Sequence, residues 1–131
     1  MNKRVAYLGM DVHKNSITMA LFIEQRKEEE FIRKIENNPK TLVRIIKDLS
    51  KEYHLRVCYE AGGCGYSIYR KLQKIGIDCI VVAPSLIPTD NKKVKTDTID
   101  ARKLAIYLRS GLLTAINVPD EQQERDRDLI R

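Results

Sequence analysis

Four carboxylates in this 131-residue chain stand where they could do chemistry together. Asp11 lies at the end of an apolar, β-prone run (RVAYLGMDVH, residues 4–13), and Glu60 directly follows another (LRVCY, residues 55–59). Asp97 and Asp100 are three apart at the start of a helical stretch, a spacing that puts both side chains on one helix face. Carboxylates brought close together repel unless cations sit between them, and hard oxygen ligands suit Mg²⁺ or Mn²⁺. Two such ions roughly 4 Å apart can hold the attacking and the leaving oxygen of a phosphodiester. A His or Lys cluster carries the wrong charge for that work. The same acids also have a purely structural reading. In a first helical turn Asp97 and Asp100 gain about 0.3–1 kcal/mol each from the helix dipole, without any metal, and acids at strand ends often line a solvated rim. Spacing alone leaves both readings open.

Elements of alternating type must position these acids. Residues 4–13 read as a strand entering the core, with Val5, Tyr7, Leu8 and Met10 apolar, and Asn15-Ser16 turns the chain. Residues 16–23 (SITMALFI) are a second β-prone run; after the polar turn at 24–27, residues 29–37 alternate like an edge strand. These three make an antiparallel meander. Asn38-Pro39 breaks the pattern, and a helix opens at Pro39 or Lys40, with Leu42, Val43, Ile45, Ile46, Leu49 and Tyr53 at helical spacing. His54 falls at the end of that helix, near the negative pole of its dipole. Residues 55–59 form a strand ending at Glu60, 61–65 a turn, and 66–74 a second helix that packs Ile68 and Leu72 and stops at Gly76. Residues 77–83 read as a buried strand closed by Pro84, and 85–95 as a loop. Thr96 caps a third helix over 97–109, with Ile99, Leu104, Ala105 and Leu108 inward and Gly111 at its end. A short apolar segment follows at 112–118, and 120–131 has helical character.

The order β-β-β-α-β-α-β-α predicts an α/β fold of ribonuclease-H-like type, a mixed five-stranded sheet flanked by helices. Right-handed crossovers place the strand ending at Glu60 beside the first strand. Asp11 and Glu60 then emerge side by side at the C-terminal ends of parallel neighbours. The start of the third helix can bring Asp97 and Asp100 to the same place.

Composition narrows the function classes. Hydrophobic residues make up 43% and charged residues 32%, as in one globular domain. No apolar run approaches the ~20 residues that cross a bilayer, and the first residues lack the apolar core of a signal peptide. A membrane or secreted role is therefore not expected. Cys58, Cys64 and Cys79 are odd in number and have no zinc-ligand spacing, which fits a reduced, intracellular protein. Cys58 and Cys79 sit in apolar runs and read as buried thiols; Cys64 lies in a turn.

Lys and Arg number 24 against 18 Asp and Glu, a net charge of +6. From Pro119 onward the chain carries −2, so residues 1–118 hold +8. Such an excess favours a nucleic-acid partner only slightly. Its placement says more. Lys92, Lys93 and Lys95 precede the acidic pair, Arg102, Lys103 and Arg109 extend the positive side along the third helix, and His13-Lys14 follows Asp11. Each of these is at home on a solvated surface, yet beside a carboxylate–metal site each can guide a phosphate backbone inward. Tyr66 and Tyr69 can stack bases, but packing is the simpler role. Gly63-Cys64-Gly65 lacks the third glycine and the following acid of a dinucleotide loop, and no GxxxxGK[ST] phosphate loop occurs.

Four segments taken in order resemble one family. They are YLGMDVHK (7–14), YEAGGCGY (59–66), VAPSLIP (82–88) and KTDTIDARKLA (95–105). Together they resemble the N-terminal RuvC-like DEDD domain of IS110 family transposases, and the match covers nearly the whole chain. The resemblance implies that Asp11, Glu60, Asp97 and Asp100 are the catalytic metal ligands, holding Mg²⁺ or Mn²⁺, two ions in all. It implies DNA cleavage and strand exchange during transposition, directed by a guide (bridge-type) RNA and carried out by a homo-oligomer in the cytoplasm of a prokaryotic cell, associated with the nucleoid. Residues 1–118 would be the RuvC-like domain and 119–131 the start of a helical linker. The resemblance also implies a further C-terminal domain whose serine is the nucleophile, expected outside these 131 residues, since Ser16, Ser50, Ser67, Ser85 and Ser110 match no such position. Gly62-Gly63 after Ala61 departs from the family pattern, where a hydroxyl-bearing residue is expected before the glycine. Two other expectations stay open: a non-catalytic RNA-binding and dimerisation module of the same fold, and a stand-alone metal-dependent junction nuclease.

Overall fold

The computed structural model describes residues 3–62, 64–83 and 97–120, with side chains in the last stretch from Ala101 onward. Among these residues eight elements follow in the expected order: β1 (Arg4–Val12), β2 (Ser16–Ile23), β3 (Phe31–Glu36), α1 (Pro39–Glu52), β4 (Tyr53–Glu60), α2 (Ser67–Lys74), β5 (Asp78–Val82) and α3 (Asp97–Arg109). The five strands form one sheet in the order β3-β2-β1-β4-β5. β2 lies antiparallel to both β1 and β3, whereas β4 is parallel to both β1 and β5. Short turns suffice for the antiparallel pairs; α1 and α2 supply the crossovers that parallel neighbours need.

Local chemistry sets the boundaries. The Asn38 side chain accepts hydrogen bonds from the Lys40 and Thr41 amides, and Pro39 opens α1 with its preset φ. The helix ends one residue earlier than its apolar spacing suggests. Tyr53 takes extended backbone (φ −127°, ψ 152°) and pairs with Arg4 as the first rung between β1 and β4. The reason lies in the packing, which buries Tyr53, Leu55, Val57 and Tyr59 in alternation. His54 consequently stands exposed on a strand, not at a helix end, and no loop separates α1 from β4. β3, α2 and β5 are each slightly shorter than the sequence pattern suggests. The segment after α3 covers the outer edge of β5, through a bridge from Ala115 to Val82 and an Ile116 amide donated to the Val81 carbonyl at 2.8 Å. The loop at 85–95, the Thr96 cap and the helical character of 121–131 lie outside the described residues.

The sheet has two covered faces. On one, Leu8, Met10, Met19, Leu21 and Val57 meet Leu42 and Ile46 of α1 and Leu72 of α2. On the other, Tyr7, Cys58 and Val82 pack against Leu104 and Leu108 of α3, and Ala20 and Phe22 against Ala101 and Ala105. α3 comes unusually near at Gly9, where an added Cβ would stand 2.3 Å from the Ala101 carbonyl oxygen and 2.5 Å from the Ala105 nitrogen. At the far end of the helix, Arg109 donates to the carbonyls of Ile23 and Arg26, and its guanidinium sits 5.3 Å from the centre of the Phe22 ring. Ile23 is the register partner of Ala6, near the start of β1. α3 thus runs antiparallel to β1, with its first turn toward the end of β1.

Candidate active site

Asp11 is the penultimate residue of β1, and Glu60 the last of β4. The β1–β4 ladder runs in register to Met10 opposite Tyr59, so one further step sets Asp11 opposite Glu60. Register partners share a face. Asp11 follows Gly9 and Tyr7 on the α3 side, and Glu60 follows Cys58 there. Asp97 is four residues before Ala101, about 6 Å along a helix; Asp11 is two residues beyond Gly9, about 6–7 Å along a strand. The backbone of α3's first turn, Asp97 to Asp100, therefore stands level with Asp11. The side chains of Asp97 and Asp100 lie outside the described residues. Among the described residues, no group of three or more His, Cys, Asp or Glu could hold a metal ion.

Asp11 keeps only 15% of its side chain exposed, and its Oδ2 is buried 3.1 Å from Nε2 of the half-exposed His13. Asn37 anchors the turn that carries His13: its side-chain amide donates to the His13 carbonyl at 2.7 Å, and its backbone amide to the Asn15 carbonyl at 3.1 Å. On the β2 side, Asp11 faces Thr18, which is 1% exposed. The Thr18 hydroxyl has no hydrogen-bond partner among the described residues. Neither Asn37 nor Thr18 stands out in the sequence, although a threonine inside the run SITMALFI was a polar intrusion that could have signalled it.

The turn after Glu60 is pinned from below. The buried Tyr59 hydroxyl accepts from the Tyr69 amide at 3.1 Å and donates to the Gly65 carbonyl at 3.3 Å. Burial, above all, pushes this phenol upward, and the Tyr69 amide opposes it. Gly65 has φ +69°, a left-handed turn conformation that suits glycine. Tyr66 and Tyr69 are themselves partly buried against the core, in a packing role.

The expected cations part company. Lys14 is exposed in the β1–β2 turn beside His13. Arg102, in contrast, reaches Glu29 at 3.2 Å, while Lys103 is half-buried on α3. Arg109 is committed to backbone carbonyls and the Phe22 ring, at the opposite end of α3. Lys92, Lys93 and Lys95 lie outside the described residues. The thiols offer no alternative centre. Cys58 and Cys79 are buried, desolvation pushes both upward, Cys79 to about 12, and Cys64 alone is exposed.

A sheet of this order, with acids at the ends of its two central parallel strands, defines the RNase H-like class. Solved structures agree on the fold. RuvC of T. thermophilus, determined in complex with a Holliday junction substrate, superposes with a TM-score of 0.57 at 9% identity, over 86% of this chain and 99% of RuvC. The large terminase nuclease of thermophilic phage G20c, solved with bound magnesium, gives 0.52 at 19% identity, over 92% and 60% of the two chains.

Sequence comparison is more specific. The IS110 transposase family matches residues 8–131. The transposase-named protein y4qE of Sinorhizobium fredii is 43% identical over 131 residues, and the transposase for insertion sequence element IS1533 of Leptospira borgpetersenii 41% over 132. Each alignment takes in 98% of this chain but 34% and 38% of the respective relative. The chain belongs to the IS110 transposase family, and it spans about a third of the length of the curated relatives it matches.

Proposed function

We propose that this chain is the metal-dependent, DNA-cleaving part of an IS110 transposase, with Asp11, Glu60, Asp97 and Asp100 holding two divalent cations, Mg²⁺ or Mn²⁺. The observation that carries this reading is the juxtaposition of Asp11 with Glu60 on the α3 face, at the end of the sheet toward which α3's first turn points. The residues fit such a cation. Every donor in the set is a carboxylate oxygen, as Mg²⁺ and Mn²⁺ prefer, and the Thr18 hydroxyl beside Asp11 is a buried polar atom still lacking a partner among the described residues.

When bound, the ions would supply Lewis acidity and an activated oxygen nucleophile at the phosphodiester. The chain's own residues do the rest. Asp11, almost enclosed, presents a carboxylate whose orientation is fixed by β1 and by His13. Glu60 stands at the mouth of β4 on a turn held by Tyr59. His13 and Lys14, exposed on the turn anchored by Asn37 and next in sequence to the end of β1, would meet a backbone phosphate. Lys92, Lys93, Lys95, Arg102 and Lys103 would extend the cationic approach, Arg102 after release from Glu29. Guide RNA, homo-oligomerisation, and a serine supplied from a C-terminal domain beyond a linker at 119–131 belong to the same reading. Among the described residues no helix is long and apolar enough to cross a membrane.

Mn²⁺ titration of the 131-residue chain, followed by electron paramagnetic resonance, tests the centre directly. Asp11→Asn and Glu60→Gln should each weaken Mn²⁺ binding by tenfold or more, on the order of the 10–100-fold that even outer-shell metal partners command. Mn²⁺ affinity untouched by both substitutions would overturn the reading.

A further inference from the structure

The positive charge of this domain is concentrated on the face turned away from the carboxylates. α1 and α2 together carry seven Lys and Arg against Asp48 and Glu52, a net +5 out of the +8 held by residues 1–118. Both helices pack on the Leu8–Met10 side of the sheet, opposite α3. Neither has an acid in its first turn.

The cations are arranged, not scattered. Lys40, Arg44, Lys47 and Lys51 recur at i, i+4, i+7 and i+11, a single exposed stripe about 16 Å long. α2 lies alongside and adds Lys71 to the same open groove, whose floor includes Pro39 and Val43. Among the described residues Asp48 is the only carboxylate lining the groove, and Lys51 sits 3.5 Å from it. Among the described residues, Lys40, Arg44, Lys47 and Lys71 have no carboxylate within ion-pair reach. Four such cations on one groove, with Asp48 engaged by Lys51, hold a positive field that a polyanion would neutralise.

The chemistry of the groove selects among polyanions. Among the described residues no aromatic side chain lines it, so these offer no platform on which unpaired bases could stack. Flexible lysines on a helix suit a regular line of phosphates read without regard to sequence. About 16 Å of duplex DNA carries roughly ten phosphates, ample partners for four cations.

We infer that the α1–α2 face is a second DNA-binding surface, which holds the phosphate backbone of duplex DNA on the side of the sheet opposite the cleavage centre. It would grip DNA that is not being cut at that moment. The inference deepens the DNA-acting reading above but does not depend on a metal.

Fluorescence anisotropy with a labelled 20-base-pair duplex of arbitrary sequence, run in EDTA across a salt series, tests it. Each lost phosphate contact lowers the slope of log K against log salt by about 0.9. The variant Lys40→Gln, Arg44→Gln, Lys47→Gln, Lys71→Gln should therefore lose about 3–4 from the slope, and bind the duplex at least tenfold more weakly at moderate salt. The pair Lys40→Gln, Lys71→Gln should lose about half as much, which guards against a folding defect in the fourfold variant. Mn²⁺ binding should stay unchanged in both. Unchanged duplex affinity and slope, or no binding by the unmodified chain, would overturn the inference. So would a single-stranded RNA of equal length that binds more tightly than the duplex and alone loses affinity in the variant. Because EDTA removes the cations, failure of the metal reading shows only in the Asp11→Asn titration and leaves this result separate.

Discussion

Gly9 lies directly beneath Ala101: the space its missing Cβ would fill is already taken by the Ala101 carbonyl oxygen, 2.3 Å away, and the Ala105 nitrogen, 2.5 Å away. Both obstacles are backbone, so no rotamer change relieves the clash. Gly9→Ala should destabilise the chain by about 3 kcal/mol, the upper range for overpacking, and lower its melting temperature by roughly 10 °C or more. It should also weaken Mn²⁺ binding, because α3 must lift and take Asp97 and Asp100 with it. Thermal unfolding followed by circular dichroism checks the first effect; a melting temperature equal to wild type would show that α3 docks less closely than described.

Thr18 offers the opposite sign. Its hydroxyl is buried without a partner among the described residues, and a buried unsatisfied group carries a desolvation cost. Thr18→Val, similar in shape, should raise stability by about 1 kcal/mol. Should the hydroxyl support the Asp11 carboxylate or a bound cation, Mn²⁺ affinity will fall in the same variant, and Thr18→Ser will restore it. Urea unfolding gives the stability; a loss rather than a gain would mean the hydroxyl is satisfied in solution.

Metal binding should appear as thermal stabilisation. A ligand that binds only the folded chain adds about 2.7 kcal/mol at a hundredfold excess over its Kd. Mn²⁺ should raise the melting temperature, EDTA should return it, and Asp11→Asn should remove the response. An equal rise in wild type and Asp11→Asn would place the binding ion elsewhere.

The buried thiols make the fold sensitive to alkali. In the unfolded chain Cys58 and Cys79 ionise near 9.0, but burial pushes both upward in the fold, Cys79 to about 12. Above pH 9 the unfolded chain therefore releases protons that the folded chain keeps, and stability falls as pH rises. Tyr59, also raised by burial from 10.0, acts in the same sense at higher pH. The contribution is whole below pH 9 and drains away toward pH 12. Melting temperatures should decline from pH 9 upward, less steeply in Cys79→Ala, while a thiol reagent at pH 8 should label Cys64 ahead of the other two. A flat profile to pH 11 would contradict the burial of these thiols.

The sequence already contained the strand and helix order, because apolar residues alternate in the strands and recur at helical spacing in α1 and α2. The parallel pairing of β4 with β1, which brings Asp11 level with Glu60, was equally legible, since handed crossovers allow few ways to place β4. Tyr53 was not. Where a helix runs into a strand without a loop, one buried residue satisfies both periods, and the helical reading absorbed it together with His54. Arg102 looked free because Glu29, its partner, is 73 positions away. The cationic stripe on α1 reads in sequence as the ordinary wet side of an amphipathic helix. Only the packing of α2 beside it brings Lys71 into the same groove.

The two borders of the sheet differ in what they offer another chain. Ala115 and Ile116 occupy the outer side of β5, whereas β3, at the other border, has a strand neighbour on one side, β2, among the described residues. Two copies aligning their β3 strands head to tail over full length, Phe31 against Glu36, would set Arg33 opposite Lys34 twice. Like charges placed so repel. This border therefore discourages sheets from joining into fibres while leaving β3 its hydrogen bonds to β2, a protection built from two adjacent side chains.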